Sequence, residues 1–181
     1  MSIGVANQDR RLKTKRTKPE FSIMKGGELS LSGPALVHLL RAVLDKGVPA
    51  RFQAKGFSMS PFIKNKDLVT ISPLQGKRPG LGDIIAFVHP ETHGLCIHRI
   101  VRKKDGFYVT KGDNISETNE CVPLVNILGF VTRVERDGKG VFLGLGPERF
   151  LIAFLGCRGL LFPLLLPLWK IVRPFIRRSA R

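Results

Sequence analysis

Residues 95–114 read LCIHRIVRKKDGFYVTKGDN. Two short runs rich in Ile, Val, Phe, Tyr and Thr, Leu95–Arg102 and Gly106–Thr110, flank a Lys-Asp-Gly turn, the pattern of a β-hairpin. Such a hairpin brings two chemically distinctive residues to the same part of a sheet. His98 sits within an otherwise apolar strand, and Asp113 lies in an acidic turn directly after the second strand.

The same texture extends from Val48 to about Leu145. Further strand-like runs are Ala50–Ala54, Asp67–Ser72, Asp83–Val88, Ile127–Arg136 and Val141–Leu143, separated by Gly, Pro, Asn and Asp. Closely spaced short strands predict a mainly β domain of folded-over sheets or small barrels. A doubly wound α/β sheet is disfavoured, because no helix follows each strand. Upstream, residues 33–47 (GPALVHLLRAVLDKG) carry Leu36, Leu39, Leu40, Val43 and Leu44 at helical spacing. Ser32 can cap this helix, Pro34 suits its first turn and Gly47 ends it. His38 lies beside the apolar stripe and reads as a packed or surface histidine.

Four sections result: a basic tail over 1–27, a helix leading into the domain over 28–47, a β-rich domain over 48–148 and an apolar, basic segment over 149–181. Thirty Lys and Arg against 14 Asp and Glu give a net charge of +16, which favours anionic partners, either nucleic acid or an acidic lipid surface. No aromatic-basic strand motif appears, so a nucleic-acid partner is disfavoured. The basic tail lacks a following apolar run, unlike a secretory signal peptide. In the last section, Phe150–Trp169 has the length of a membrane span. Yet Arg158 stands near its centre, and Gly156, Gly159, Pro163 and Pro167 interrupt it. An interfacial position, with Trp169, Lys170, Arg173, Arg177 and Arg178 at the headgroups, fits at least as well. The protein is therefore expected at a membrane surface, on a side the sequence does not fix.

Cys96, Cys121 and Cys157 show no metal-ligand spacing, and their odd number argues against a fully paired disulfide set. His89 and His93, in the loop His-Pro-Glu-Thr-His-Gly, would make only a weak metal site. Neither a metal nor a cofactor is expected.

The chemistry-bearing residues fall in three segments: Gly56-Phe57-Ser58-Met59-Ser60-Pro61, Ile97-His98-Arg99-Ile100 and Thr110-Lys111-Gly112-Asp113-Asn114. Nucleophilic acyl transfer needs a hydroxyl, a base within reach and often a group that orients the base. Ser58, His98 and Asp113 are of those three types. Spacing alone does not bring Ser58 to His98.

The order Ser-Met-x-Pro, Gly-Asp-Ile-Ile (Gly82–Ile85), His-Arg-Ile and Thr-Lys-Gly-Asp-Asn resembles the boxes of type I signal peptidases. The likeness, over about Phe52 to Val134, is to the archaeal and endoplasmic-reticulum subtype, where histidine replaces the lysine base. It implies a mostly β fold and a serine endopeptidase cleaving precursors after small residues, with the peptide substrate paired as an extra strand. Ser58 would be the nucleophile, His98 the general base, and Asp113 the residue supporting His98; the Ser58 N–H would bind the oxyanion. The chain departs from the pattern in three places. Gly56-Phe57 replaces the usual Ser-Gly before the nucleophile, and Lys66-Asp67 stands for a Gly-Asp pair. Asn119, flanked by Glu117 and Glu120, falls near the place of a second acid, which leaves open the acid that supports His98. Gly-x-Ser-Met is also similar to the self-cleaving SOS-repressor peptidases, so a regulatory self-cleaving enzyme, or a peptide-binding relative without turnover, remains an alternative.

Overall fold

The computed structural model describes residues 22–23, 29–30, 33–115, 120–161 and 163, which belong to two units. In the first, strands β1 (Ser22–Ile23) and β2 (Leu29–Ser30) pair antiparallel. Most of the basic tail and the proposed cap at Ser32 lie outside the described residues.

The second unit begins with helix α1 (Gly33–Asp45). Val37, Leu40 and Leu44 form its buried stripe at i, i+3 and i+7, while His38 is exposed on the other side. Eight strands follow: β3 (Ala50–Gln53), β4 (Leu68–Pro73), β5 (Ile84–Val88), β6 (Leu95–Lys104), β7 (Phe107–Lys111), β8 (Glu120–Pro123), β9 (Ile127–Arg136) and β10 (Lys139–Val141). They make one antiparallel sheet in the order β3-β4-β9-β5-β6-β7-β8, with β10 added to β9. The sheet curls into a half-barrel. Its ladders shift register at Thr70/Ile71, Ala86/Phe87 and Ile100/Arg102, the irregularities that let paired strands bend and twist.

The expected mainly β architecture and leading helix are therefore present, with the sheet and two helices forming one half-barrel unit. The Leu95–Thr110 hairpin closes as β6–β7 through Asp105 and Gly106, both at positive φ (48° and 79°). That is the mirror-image turn whose twist matches paired strands. Strand β8 is an addition to the sequence reading, and β10 (Lys139–Val141) overlaps the expected Val141–Leu143 run only at Val141. The second helix, α2 (Arg149–Cys157), is only nine residues long and stops at Arg158. Among the described residues no longer C-terminal apolar helix is seen; residues 162 and 164–181 of the expected segment lie outside them. Among the described residues, no helix is long and apolar enough to cross a membrane.

Period-2 alternation divides the core between the two sheet faces. On β5, Ile84 and Ala86 enter a large cluster with Met59, Ile63, Val69, Ile71, Val131 and α1. Ile85 and Phe87 point the other way, to Ile100, Tyr108, Val122 and Ile127. Strand β6 follows the same rule. Ile97 packs on the first cluster, whereas Cys96 and Ile100 belong to the second. His98 shares the second face, its ring tilted against Phe87 at 5.9 Å between centroids. Arg99 therefore projects opposite to its neighbour His98.

Candidate active site

Arg99 is fully buried, at 0% exposure. Its Nε and Nη2 donate to the two carboxylate oxygens of Asp113 at 2.9 and 2.8 Å, and Nη1 donates to the carbonyls of Gly82 and Gly144 at 3.0 and 2.9 Å. The guanidinium also lies 5.5 Å from the centre of the Phe62 ring. Lys111, paired with Arg99 across the ladder, donates from Nζ to the carbonyl of Gly156 near the end of α2. A cation there complements the negative end of the helix. Burial pushes the Asp113 carboxyl above its usual range, against the opposing pull of the Arg99 donors and charge and of His98. Asp113 is thus the acid of Arg99.

The acid of His98 is Glu120. Its Oε2 lies 2.9 Å from His98 Nδ1. Glu120 reaches this place because β8 pairs with β7, with Thr110 opposite Glu120. The Thr110 hydroxyl stands 3.4 Å from the Glu120 carbonyl and 3.5 Å from Oε2. A carboxylate only accepts, so the histidine proton belongs on Nδ1, and Nε2 carries the lone pair of a base. The structure thus pairs His98 with Glu120 rather than with Asp113 of the Gly-Asp-Asn box, which pairs with Arg99 instead. The physical reason is the alternation on β6: Asp113 meets the face of Arg99, not that of His98.

Ser58 stands in a loop with Met59 and Ile63 buried in the large cluster and Phe57 exposed at 67%. Ser60 N–H donates to Phe57 O, while Phe62 and Ile63 N–H both donate to Met59 O, so the loop turns tightly around the serine. Asn114 fastens it from the other side. Its N–H donates to Ser58 O at 2.7 Å, and its side-chain amide donates to Phe57 O at 3.1 Å. Gly112 allows this approach, since a β-carbon there would lie 2.8 Å from Ser58 O. Gly112 directly follows β7, one step beyond the Arg99–Lys111 pair at which the β6–β7 pairing ends. The serine loop is therefore fastened to the segment that leaves β7, the strand paired with that of His98. Among the described residues, no hydrogen bond joins the Ser58 hydroxyl to His98, and the Ser58 N–H has no acceptor.

A second side chain of nucleophilic type is Cys96, two residues before His98 on the same face. Burial, reinforced by the Glu120 carboxylate, pushes its thiol up to about 11. At neutral pH it is a protonated thiol, a poor nucleophile. All three cysteines are free. No group of three metal-ligating side chains is arranged to hold an ion among the described residues.

No family model matches this chain, and no curated protein is significantly similar to it in sequence.

Proposed function

We propose that this chain is a serine endopeptidase of the signal-peptidase type, cleaving precursor peptides by a Ser-His mechanism at a membrane surface. The observation that carries this reading is the His98–Glu120 hydrogen bond at 2.9 Å, in a sheet where the segment after β7 fastens a serine loop whose Ser58 N–H has no acceptor among the described residues. Ser58 attacks the scissile carbonyl, and His98 Nε2 takes its proton and returns it to the leaving amine. Glu120 holds the imidazole in the required tautomer and stabilises its charge once protonated. The Ser58 N–H binds the oxyanion. The Ser58–His98 hydrogen bond forms as the substrate docks, since catalytic contacts often tighten only in the complex. Asp113 serves this site indirectly, by neutralising Arg99 behind the strand.

Membrane association draws support from α2 and the turn before it. Phe142, Phe150, Leu151 and Phe154 are exposed. The Arg149 and Arg158 guanidinium groups lie 5.0 and 4.1 Å from the Phe150 and Phe154 ring centres. Cations stacked on apolar rings suit an interface, where rings enter the acyl boundary and charges stay with headgroups.

The test is cleavage of a set of precursor peptides with small residues before the scissile bond. The parent chain should cleave them, and Ser58→Ala and His98→Ala should each lower kcat by about 10⁶-fold, the scale for losing the nucleophile or base of a dyad. Cleavage surviving in both folded variants would remove the peptidase reading.

A further inference from the structure

His89 closes β5 and opens the six-residue loop to β6. Every polar group it has toward that loop is engaged. Its N–H donates to Gly94 O at 2.8 Å, and its carbonyl accepts the His93 N–H at 3.0 Å. Ring Nδ1 accepts the N–H groups of Glu91 and Thr92, both at 3.2 Å. An Nδ1 that accepts two donors has no proton, so in the neutral ring the proton resides on Nε2. That Nε2 faces Oε1 of Glu120 at 3.7 Å, the carboxylate whose Oε2 is bonded to His98. Two imidazoles thus address the two oxygens of one carboxylate. One is fixed by a strand, the other by a loop that leaves its ring a single orientation.

We infer that His89 is a positioning residue that holds Glu120 in place for His98, an inference that rests on the peptidase reading above. At 3.7 Å the contact is longer than a hydrogen bond and acts through charge and dipole. It matters because Glu120 is about one-fifth exposed and its carboxylate would otherwise be free to swing toward water. Directing an N–H at Oε1 keeps Oε2 on His98 Nδ1. The sequence hides this role, since His89 and His93 look like a pair four residues apart. In the fold His93 spends its backbone on the turn, and only His89 reaches the carboxylate.

Two substitutions separate the ring's two nitrogens. His89→Asn keeps an acceptor near Nδ1 for the loop and deletes the Nε2 donor. His89→Gln places an amide donor near Nε2. The full chain, labelled with ¹⁵N at histidine, is compared with both variants by ring-nitrogen NMR and by peptide cleavage. The expected result in His89→Asn is loss or broadening of the His98 Nδ1–H resonance. With it comes about a fivefold drop in kcat at unchanged KM, the size of one partly exposed charge interaction. His89→Gln should restore both. In a parent that shows Ser58-dependent cleavage, either readout unmoved in His89→Asn overturns the role. In a parent without such cleavage, the peptidase reading fails, and the His98 resonance alone decides for or against His89 as the partner of Glu120.

Discussion

His98 and Arg99 are neighbours on one strand, each paired with an acid, yet the two pairs are built for different work. The Arg99 pair is dry. Its guanidinium uses four of its five N–H donors, two on Asp113 and one each on Gly82 and Gly144, and complete burial shuts a visitor out. The His98 pair is partly open, and Glu120 engages only one ring nitrogen. Satisfied polar groups hold a fold together, whereas chemistry requires a group with capacity to spare. On the proposed reading, a single step along β6 separates architecture from reactivity.

This contrast can be broken from either side. Glu120→Ala should lower kcat of peptide cleavage by about 10³–10⁴-fold, as expected for losing the residue that fixes a histidine tautomer. Its thermal midpoint should stay close to the parent's, and a large fall in midpoint would move Glu120 to the architectural side. Asp113→Ala should do the reverse. It strands a buried guanidinium, so it should cost about 3–5 kcal/mol in denaturant unfolding. Stability equal to the parent's would show that Arg99 finds another acceptor. Gly112→Ala probes the seam between the two regions. Its methyl would press on Ser58 O, and displacing the nucleophile by about 1 Å should cost roughly 10²-fold in kcat. Unchanged kinetics there would mean that the loop yields without moving the serine.

The smallest effect concerns a second architectural pair, Asp67 with Arg136. Burial pushes the Asp67 carboxyl up, but the Arg136 hydrogen bonds and charge and the Lys64 N–H outweigh it and hold it below its ordinary 3.8. Folded protein therefore binds this proton less readily than unfolded chain. The stability Asp67 lends is complete above about pH 4 and drains away as pH falls through the lowered value. In Asp67→Asn, the acid limb of the unfolding midpoint against pH should flatten. A limb as steep as the parent's would assign it to other carboxylates.

Much of the architecture is legible because local signals agree. The alternation on β5 and β6, the Asp105-Gly106 turn and the helical spacing of Leu36, Leu40 and Leu44 each specify their element without distant help, although Leu39 turns outward and Val37 joins the buried stripe instead. Strand β8 is harder to read. Glu120-Cys121-Val122-Pro123 is short and only Val122 is fully buried, so its pairing with β7 decides its state rather than its own pattern. The partner of His98 is hidden for the same reason, because Glu120 enters through that strand. Asp113 is conspicuous in the sequence as part of a Gly-Asp-Asn turn, but the face of the strand it reaches depends on register. Ser58 stands out only through its neighbours, and its place against Gly112 is a tertiary contact across 54 positions that no local pattern encodes.

Arg99 reaches back 17 positions to Gly82 and forward 45 to Gly144. During synthesis, then, the scaffold behind the histidine stays incomplete until the segment carrying Gly144 has left the ribosome, although β6 emerges long before. Any proteolytic competence is deferred to a late stage, when the strands a hydrolase could attack are already shielded in their own sheet. Ribosome-bound chains arrested shortly before and shortly after Gly144 emerges should differ in protease resistance around β6, and equal resistance would show that the guanidinium is not the clasp.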